Sequence, residues 1–340
     1  MKAATGAGKK IGEKTSLQQQ LLGKIACQLS SPKNLPNEIA STLGISIHSA
    51  YRRLRGQVDI SMQEMETLMH KYDIRLFDES SERPTSYSFS GEDLSKQNFD
   101  FIGRLAKYLD SYDSFTADEP VHLYYMGVDI TPACLYRSPV IILFMDYFWK
   151  NCFLNNSTRN PELFSATAIT EEARILADKY FDIHQNTRST EIWSVLCLET
   201  FLHQLEYMKS LQLFATPNDL DIVYNELIRT IDFKERQAFA GFKLDRSGNI
   251  TAKKVPYELY ISDLFFSENI LYLENSHQKV AVLKHNLFYI FTDHSLFVQD
   301  VKNTYDIMLS KATPISATNE KGRISFFKKL LERVKQSRGH

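Results

Sequence analysis

The chain has 340 residues, 43% hydrophobic and 12% aromatic, with 40 Lys/Arg against 41 Asp/Glu. That length predicts two or three domains, and that apolar content excludes a disordered or acidic solvating chain. The near-neutral total hides an asymmetry: residues 1–75 carry 11 Lys/Arg and 6 Asp/Glu, the remainder 29 and 35, so a basic head precedes an acidic body, as expected where only the head meets a polyanion.

In chain order, MKAATGAGKKIGEKT reads as a basic arm. It has no apolar stretch and is no secretory signal. Its GAGKK lacks the first Gly and the final Ser/Thr of a phosphate loop. Leu17, Leu21, Leu22, Ile25 and Leu29 fall at helical spacing over 16–30. A second helix starts at Pro36 and runs through Leu43. A third spans about Ser46 to Arg55, with Gly56 just past its end. A fourth begins after Ser61, whose partner Glu64 three residues on completes a capping box.

Residues 78–91 (DESSERPTSYSFSG) are polar and contain Pro and Gly, which predicts a linker. Beyond it, Leu94, Phe101 and Tyr108 repeat every seven residues, with Leu105 and Tyr112 beside them. This face suits either a short coiled coil or docking on its own domain. The stretch 120–155 is dense in aromatic residues and reads as core. Helices are expected over 170–181, 189–211 and 218–241. VPYELYISDL, NILYLE, QKVAVLKH and LFYIFT predict four strands within 255–292, with NSHQ as a hairpin loop. Asp293 or Ser295 is expected to cap a helix through Ser310. A final basic helix over 320–336 carries Ile324, Phe327, Leu331 and Val334 on one stripe.

The expected fold is therefore α+β, mainly α. A four-helix domain (10–77) is joined by the linker 78–91 to a domain (92–340) that is helical over 92–250, with a small antiparallel sheet plus helices over 251–336.

Residues 37–56, NEIASTLGISIHSAYRRLRG, carry the chemistry. Ala40 is small where two helices would cross, Gly44 tolerates the positive φ of a tight turn, and Ser46 caps the next helix. Ile39, Leu43 and Ile45 hold the pair together, and Ala50 and Leu54 face inward. Exposed positions near the start of such a second helix reach base edges in the major groove. Ile47, His48, Ser49 and Arg52 are the candidate base-side residues, and Ser46, as the cap, leaves the positive end of the helix available to phosphate. Arg53 and Arg55 suit phosphate, where neutralisation releases counterions.

The runs I-A-x-x-L-G-I-S and S-A-Y-R-R-L-R-G, with the capped helix from Ser61, resemble the phage-repressor-like (Xre-type) helix-turn-helix family. The match covers about residues 16–76 and is similar to a subset of long bacterial regulators with an uncharacterised C-terminal part. Ala50 departs from the larger Ile or Val usual there, and Tyr51 is expected to fill the space. The resemblance implies a transcription regulator that binds double-stranded DNA as a homodimer.

Other constellations are incomplete. Glu199, His203 and Glu206 share a helical face but lack further metal ligands. His277, His285, Asp293 and His294 surround the predicted strands without a nucleophile. No catalytic set, cofactor or metal is expected. Cys27, Cys134, Cys152 and Cys197 form no C-x-x-C pair, which favours a reducing, cytoplasmic setting. The run 139–149 carries Asp146 and is too short to cross a bilayer, so no membrane partner is expected. Two alternatives stay open: a sensor whose apolar pocket in 120–155 takes an unknown small ligand, and a protein–protein module.

Overall fold

Ser16 opens the first element by accepting a hydrogen bond from the Gln19 backbone N–H while its own N–H donates to Gln19 Oε1, a capping box. The computed structural model describes residues 16–29, 32–72, 74, 87–91, 100–116, 119–154, 162–264, 268–285 and 288–339. The chain divides into two units, residues 1–85 and 86–340.

The first unit holds α1 (Leu17–Gln28), α2 (Leu35–Leu43), α3 (Ile47–Leu54) and α4 (Met62–Lys71). Leu21, Leu22, Ile25, Ile39, Ala40, Ala50, Ile60, Leu68 and Ile74 form its own core. The Gln18 amide ties α1 to the segment after α3: Nε2 donates to the Arg53 and Val58 carbonyls at 2.7 and 3.2 Å, and Oε1 accepts from Ile60 N–H at 2.8 Å. The segment between α3 and α4 thereby has its buried backbone groups paired.

The second unit is built on one mixed sheet. Its strands among the described residues are β1 (Ser90–Gly91), β2 (His122–Gly127), β3 (Arg188–Ser194), β4 (Tyr257–Ser262), β5 (Asn269–Glu274), β6 (Lys279–His285), β7 (Phe288–Thr292) and β8 (Thr313–Pro314). The order is β1-β7-β6-β5-β2-β3-β4-β8. β2, β3 and β4 are parallel neighbours, and β5 joins the other side of β2 antiparallel.

The intervening helices are α5 (Phe101–Thr116), α6 (Pro132–Leu135), α7 (Pro139–Tyr147) running into a π-helical turn (Phe148–Leu154), α8 (Glu171–Asn186), α9 (Glu199–Ser210), α10 (Pro217–Ala240), α11 (Ser295–Lys311) and α12 (Glu320–Gly339). Along β2 the side chains alternate. Leu123 and Tyr125 enter the large core shared with α5 to α10 and α12, while Tyr124 and Met126 meet the α11 side.

The architecture is α+β, with two main differences from expectation. The sheet is neither small nor confined to the C-terminal part: β2 and β3 lie within the stretch expected to be helical over 92–250 and occupy the sheet centre. Both are covered on two faces, so they lack the alternation that betrays a half-exposed strand. Residues 189–194 of the helix expected over 189–211 belong to β3 and only 199–210 are helical, because the strong helical period of α9 masked the strand before it.

The expected linker 78–91 ends in a strand, since Ser90 and Gly91 pair with Phe291 and Ile290; residues 78–86 and Leu94 lie outside the described residues. Phe101, Leu105, Tyr108 and Tyr112 are buried in the body's core, which removes them as a coiled-coil seam. Position 294, not Asp293 or Ser295, caps α11, without a side-chain bond. In α12 Ile324 is half-exposed, and Phe326 and Leu330 are buried with Phe327 and Val334.

Candidate nucleic-acid interface

The turn between α2 and α3 is set by two residues. Gly44 adopts φ 64° and ψ 30°, the left-handed region that costs an L side chain strain, and Gly44 and Ile45 N–H both donate to the Ala40 carbonyl. Ser46 then turns extended, at φ −68° and ψ 150°, and its Oγ accepts from Ser49 N–H at 3.2 Å. Ala40 and Ala50 both lie in the head's core, where their small side chains let α2 and α3 approach closely.

The candidate residues divide by environment. Ser46, Ile47, His48, Arg52 and Arg55 are exposed, while Ser49 is half-buried and its Oγ accepts from Ser46 Oγ at 3.0 Å. Tyr51 does not fill space beside Ala50. It is exposed on the outer face, with the Arg55 guanidinium 5.8 Å from its ring centroid. Ala50 itself is fully buried among the other residues of the head's core. Positions 47, 48, 51, 52 and 55 thus share one face. The helical spacing of Tyr51 to Arg55 was the signal for Tyr51.

Arg53 stands apart. Its Nε and terminal nitrogen donate to the two Glu64 carboxylate oxygens at 3.2 and 2.6 Å, and its other nitrogen to the Ser49 carbonyl at 3.4 Å. The same carboxylate accepts from Ser61 N–H at 2.9 Å and completes the α4 capping box. Burial alone pushes the Glu64 carboxyl up. The hydrogen bonds from Arg53 and Ser61 and the Arg53 charge overcome that and hold it below its ordinary value. Arg53 is therefore committed inside the head, and the open positive charge of α3 rests on Arg52 and Arg55.

The body holds a buried ionic cluster for which the sequence has no motif. Glu191 on β3 is fully buried; its Oε2 accepts from Trp193 Nε1 at 2.9 Å and from Tyr257 OH at 3.4 Å. Lys234 Nζ is 3.6 Å from Glu191 Oε1. Lys243 Nζ donates to Ser189 Oγ at 2.6 Å and lies 2.9 Å from His184 Nε2. Burial first, then the Lys243 and Lys234 charges, pushes the His184 imidazole well below its ordinary value. Burial and the Lys234 charge push the Lys243 amine down as well. The cavity bordering His184 is about 30 Å³, room for water but not for a metabolite. The cluster organises the core.

The remaining constellations resolve into structure. Arg333 on α12 bridges Glu199 and Glu206 at 2.9 and 3.4 Å, and His203 stays exposed. His277 pairs with Glu119 at 2.9 Å, His294 stands at the start of α11, and the side chain of His285 lies outside those described. Among the described residues no group of His, Cys, Asp and Glu is placed to hold a metal ion, and no helix is long and apolar enough to cross a membrane. Comparison with protein-family models, with curated proteins and with solved structures finds no match for this chain.

Proposed function

We propose that the head binds double-stranded DNA by seating α3 in the major groove, and that the chain is a transcriptional regulator of the phage-repressor-like type. One observation carries the reading: a short capped helix, following a left-handed glycine turn, presents Ile47, His48, Tyr51, Arg52 and Arg55 outward while its opposite side is sealed into the core. Arg52 suits a guanine edge, Ile47 a thymine methyl, and Arg55 with Tyr51 the phosphate wall. Ser46 and Ser49 orient the start of the helix, and Arg53 fixes its end through Glu64.

A single helix reads few base pairs, so we further propose that two copies act together on half-sites about 34 Å apart. Support for the body as the pairing element is indirect: the head's apolar side chains are largely spent on its own core. The test is selection of bound sequences from random DNA by the intact protein, with salt titration of the winner. An enriched palindrome with a steep salt slope is expected. Equal weak binding to all sequences, or no binding, would overturn the reading and favour a protein partner for the same face.

A further inference from the structure

β3 and β4 end side by side, with Ser194 and Ser262 as register partners at their last positions. Each buried hydroxyl accepts a hydrogen bond from the backbone N–H two residues on, Ser194 from Leu196 and Ser262 from Leu264, both at 3.1 Å. Such a local bond turns the chain sharply. Neighbouring strands lie about 4.8 Å apart, so these two turns set Val195 and Leu196 beside Asp263 and Leu264. The three aliphatic side chains stay 41%, 50% and 44% exposed. Single exposed aliphatic residues are ordinary on a monomer, whereas three on adjoining turns form a patch of the kind that marks a contact surface.

A groove of about 420 Å³ opens next to these turns, between them and α12. Val195, Leu198, Ile261, Phe326 and Leu330 give it an apolar lining. Its four charged side chains divide in two. Arg333 and Glu199 hold each other at 2.9 Å. Asp263, from the turn after β4, and Lys329, on α12, are exposed and make no hydrogen bond or ion pair among the described residues. Both of these charges stand in solvent, not in a hollow that would strip water from a small ligand. One face therefore carries aliphatic knobs and an apolar groove, an uncommitted carboxylate and an uncommitted ammonium.

We propose that this face pairs with the same face of a second copy of the chain about a two-fold axis, Lys329 of each copy meeting Asp263 of the other and the aliphatic turns of each entering the apolar groove of its partner. A two-fold contact requires a surface complementary to itself, because residue i meets j and j meets i. This face meets that requirement in charge, with one free group of each sign, and in relief, with knobs beside a hollow. A partner of a single charge sign would leave either Asp263 or Lys329 against a like charge, which is costly at a contact. A second copy matches both at once. The contact would supply the pairing of copies that the DNA reading calls for, but it rests on the body alone and is measured without DNA.

Sedimentation velocity of the intact protein is expected to show a monomer–dimer equilibrium at micromolar concentration. Leu196→Asp and Leu264→Asp should each raise the dimer dissociation constant at least about tenfold, because a carboxylate would enter an apolar contact. Asp263→Lys alone, and Lys329→Asp alone, should weaken pairing by about the same factor, since each copy then presents like charges to the other. Mixing these two variants sets opposite charges at both contacts, so they should form a heterodimer about as tight as the parent dimer. A variant that was merely damaged would not be rescued by mixing. All four positions are exposed, so the thermal unfolding of each variant monomer should match that of the parent monomer. The proposal is overturned if the intact chain stays monomeric at hundreds of micromolar, which would leave the face to a different protein. It is overturned equally if the chain dimerises and neither leucine variant weakens the dimer, or if the mixed charge variants pair no better than each does with itself.

Discussion

Arg53 and Glu64 form a two-point ion pair, 2.6 Å at its shorter contact, that locks the end of α3 to the first turn of α4. An arginine in the most basic run of the head is therefore a brace. Arg53→Ala should loosen α3, by about 1 kcal/mol for a half-buried pair of this kind. Amide exchange of the intact chain reads this locally: protection should fall at Ala50 and Leu54 and stay unchanged in β2 and β3. Unchanged protection in α3 would show that the pair is idle.

Arg52 and Arg55 should behave differently from Arg53 and from each other. Arg52→Ala is expected to weaken binding to the selected DNA site by about 1–3 kcal/mol and to relax preference at one base position. Arg55→Ala should weaken all sequences alike and lower the salt slope by about one unit. Neither should alter amide protection in the head, because neither guanidinium is tied to another element by a hydrogen bond among the described residues. Equal losses for Arg52→Ala on specific and random DNA would remove its base-reading role.

Gly44 offers a test of backbone strain without steric clash. Its φ is +64°, and a Cβ built there meets nothing within 4 Å. Gly44→Val should therefore cost about 1–2 kcal/mol, purely from the left-handed conformation, while Gly44→Asn should cost much less because Asn visits that region readily. Thermal unfolding of the head with both variants separates the cases. Equal melting of the two would place the effect elsewhere.

The buried cluster around Glu191 predicts an asymmetric response. Glu191→Gln leaves two buried amines without their carboxylate and should cost about 3–5 kcal/mol. Lys243→Met removes an amine that burial and Lys234 already push toward neutrality, so it should cost about 1–2 kcal/mol, the bonds to Ser189 and His184. Urea unfolding of the two variants gives the ratio. A larger loss for Lys243→Met would mean that the amine, not the carboxylate, anchors the site.

Two histidines set the acid response of the body. His184 is pushed well below its ordinary 6.5, and burial, then the Arg188 charge, pushes His122 down to about 4. Below pH 6.5 the unfolded chain takes up protons that these folded rings refuse, so stability falls as pH falls. The His122 contribution ends near pH 4, where its folded ring protonates too, and that of His184 continues lower. Above 6.5 both rings are neutral in either state and add no slope. Between pH 7 and 5 the unfolding midpoint in urea should drop, and His122→Gln should remove part of that drop. A midpoint independent of pH over this range would contradict both assignments.

Local chemistry was legible in the order of residues. Ser46 and Ser61 announce two helix starts because a capping side chain acts on backbone groups within three positions of itself, and Gly44 announces a turn because its freedom is its own property. β4 to β7 were legible for the same reason, as short β-branched and aromatic runs between turn residues. β2 and β3 were not. Strands buried on both faces show no alternation, and what makes them central is pairing between His122–Gly127 and Arg188–Ser194, some sixty positions apart. The candidate interface divides the same way. Exposure of Ile47, His48, Arg52 and Arg55 follows from the period of α3, whereas the fate of Arg53 depends on Glu64 arriving from another helix and that of Tyr51 on the core being closed at Ala50 without it.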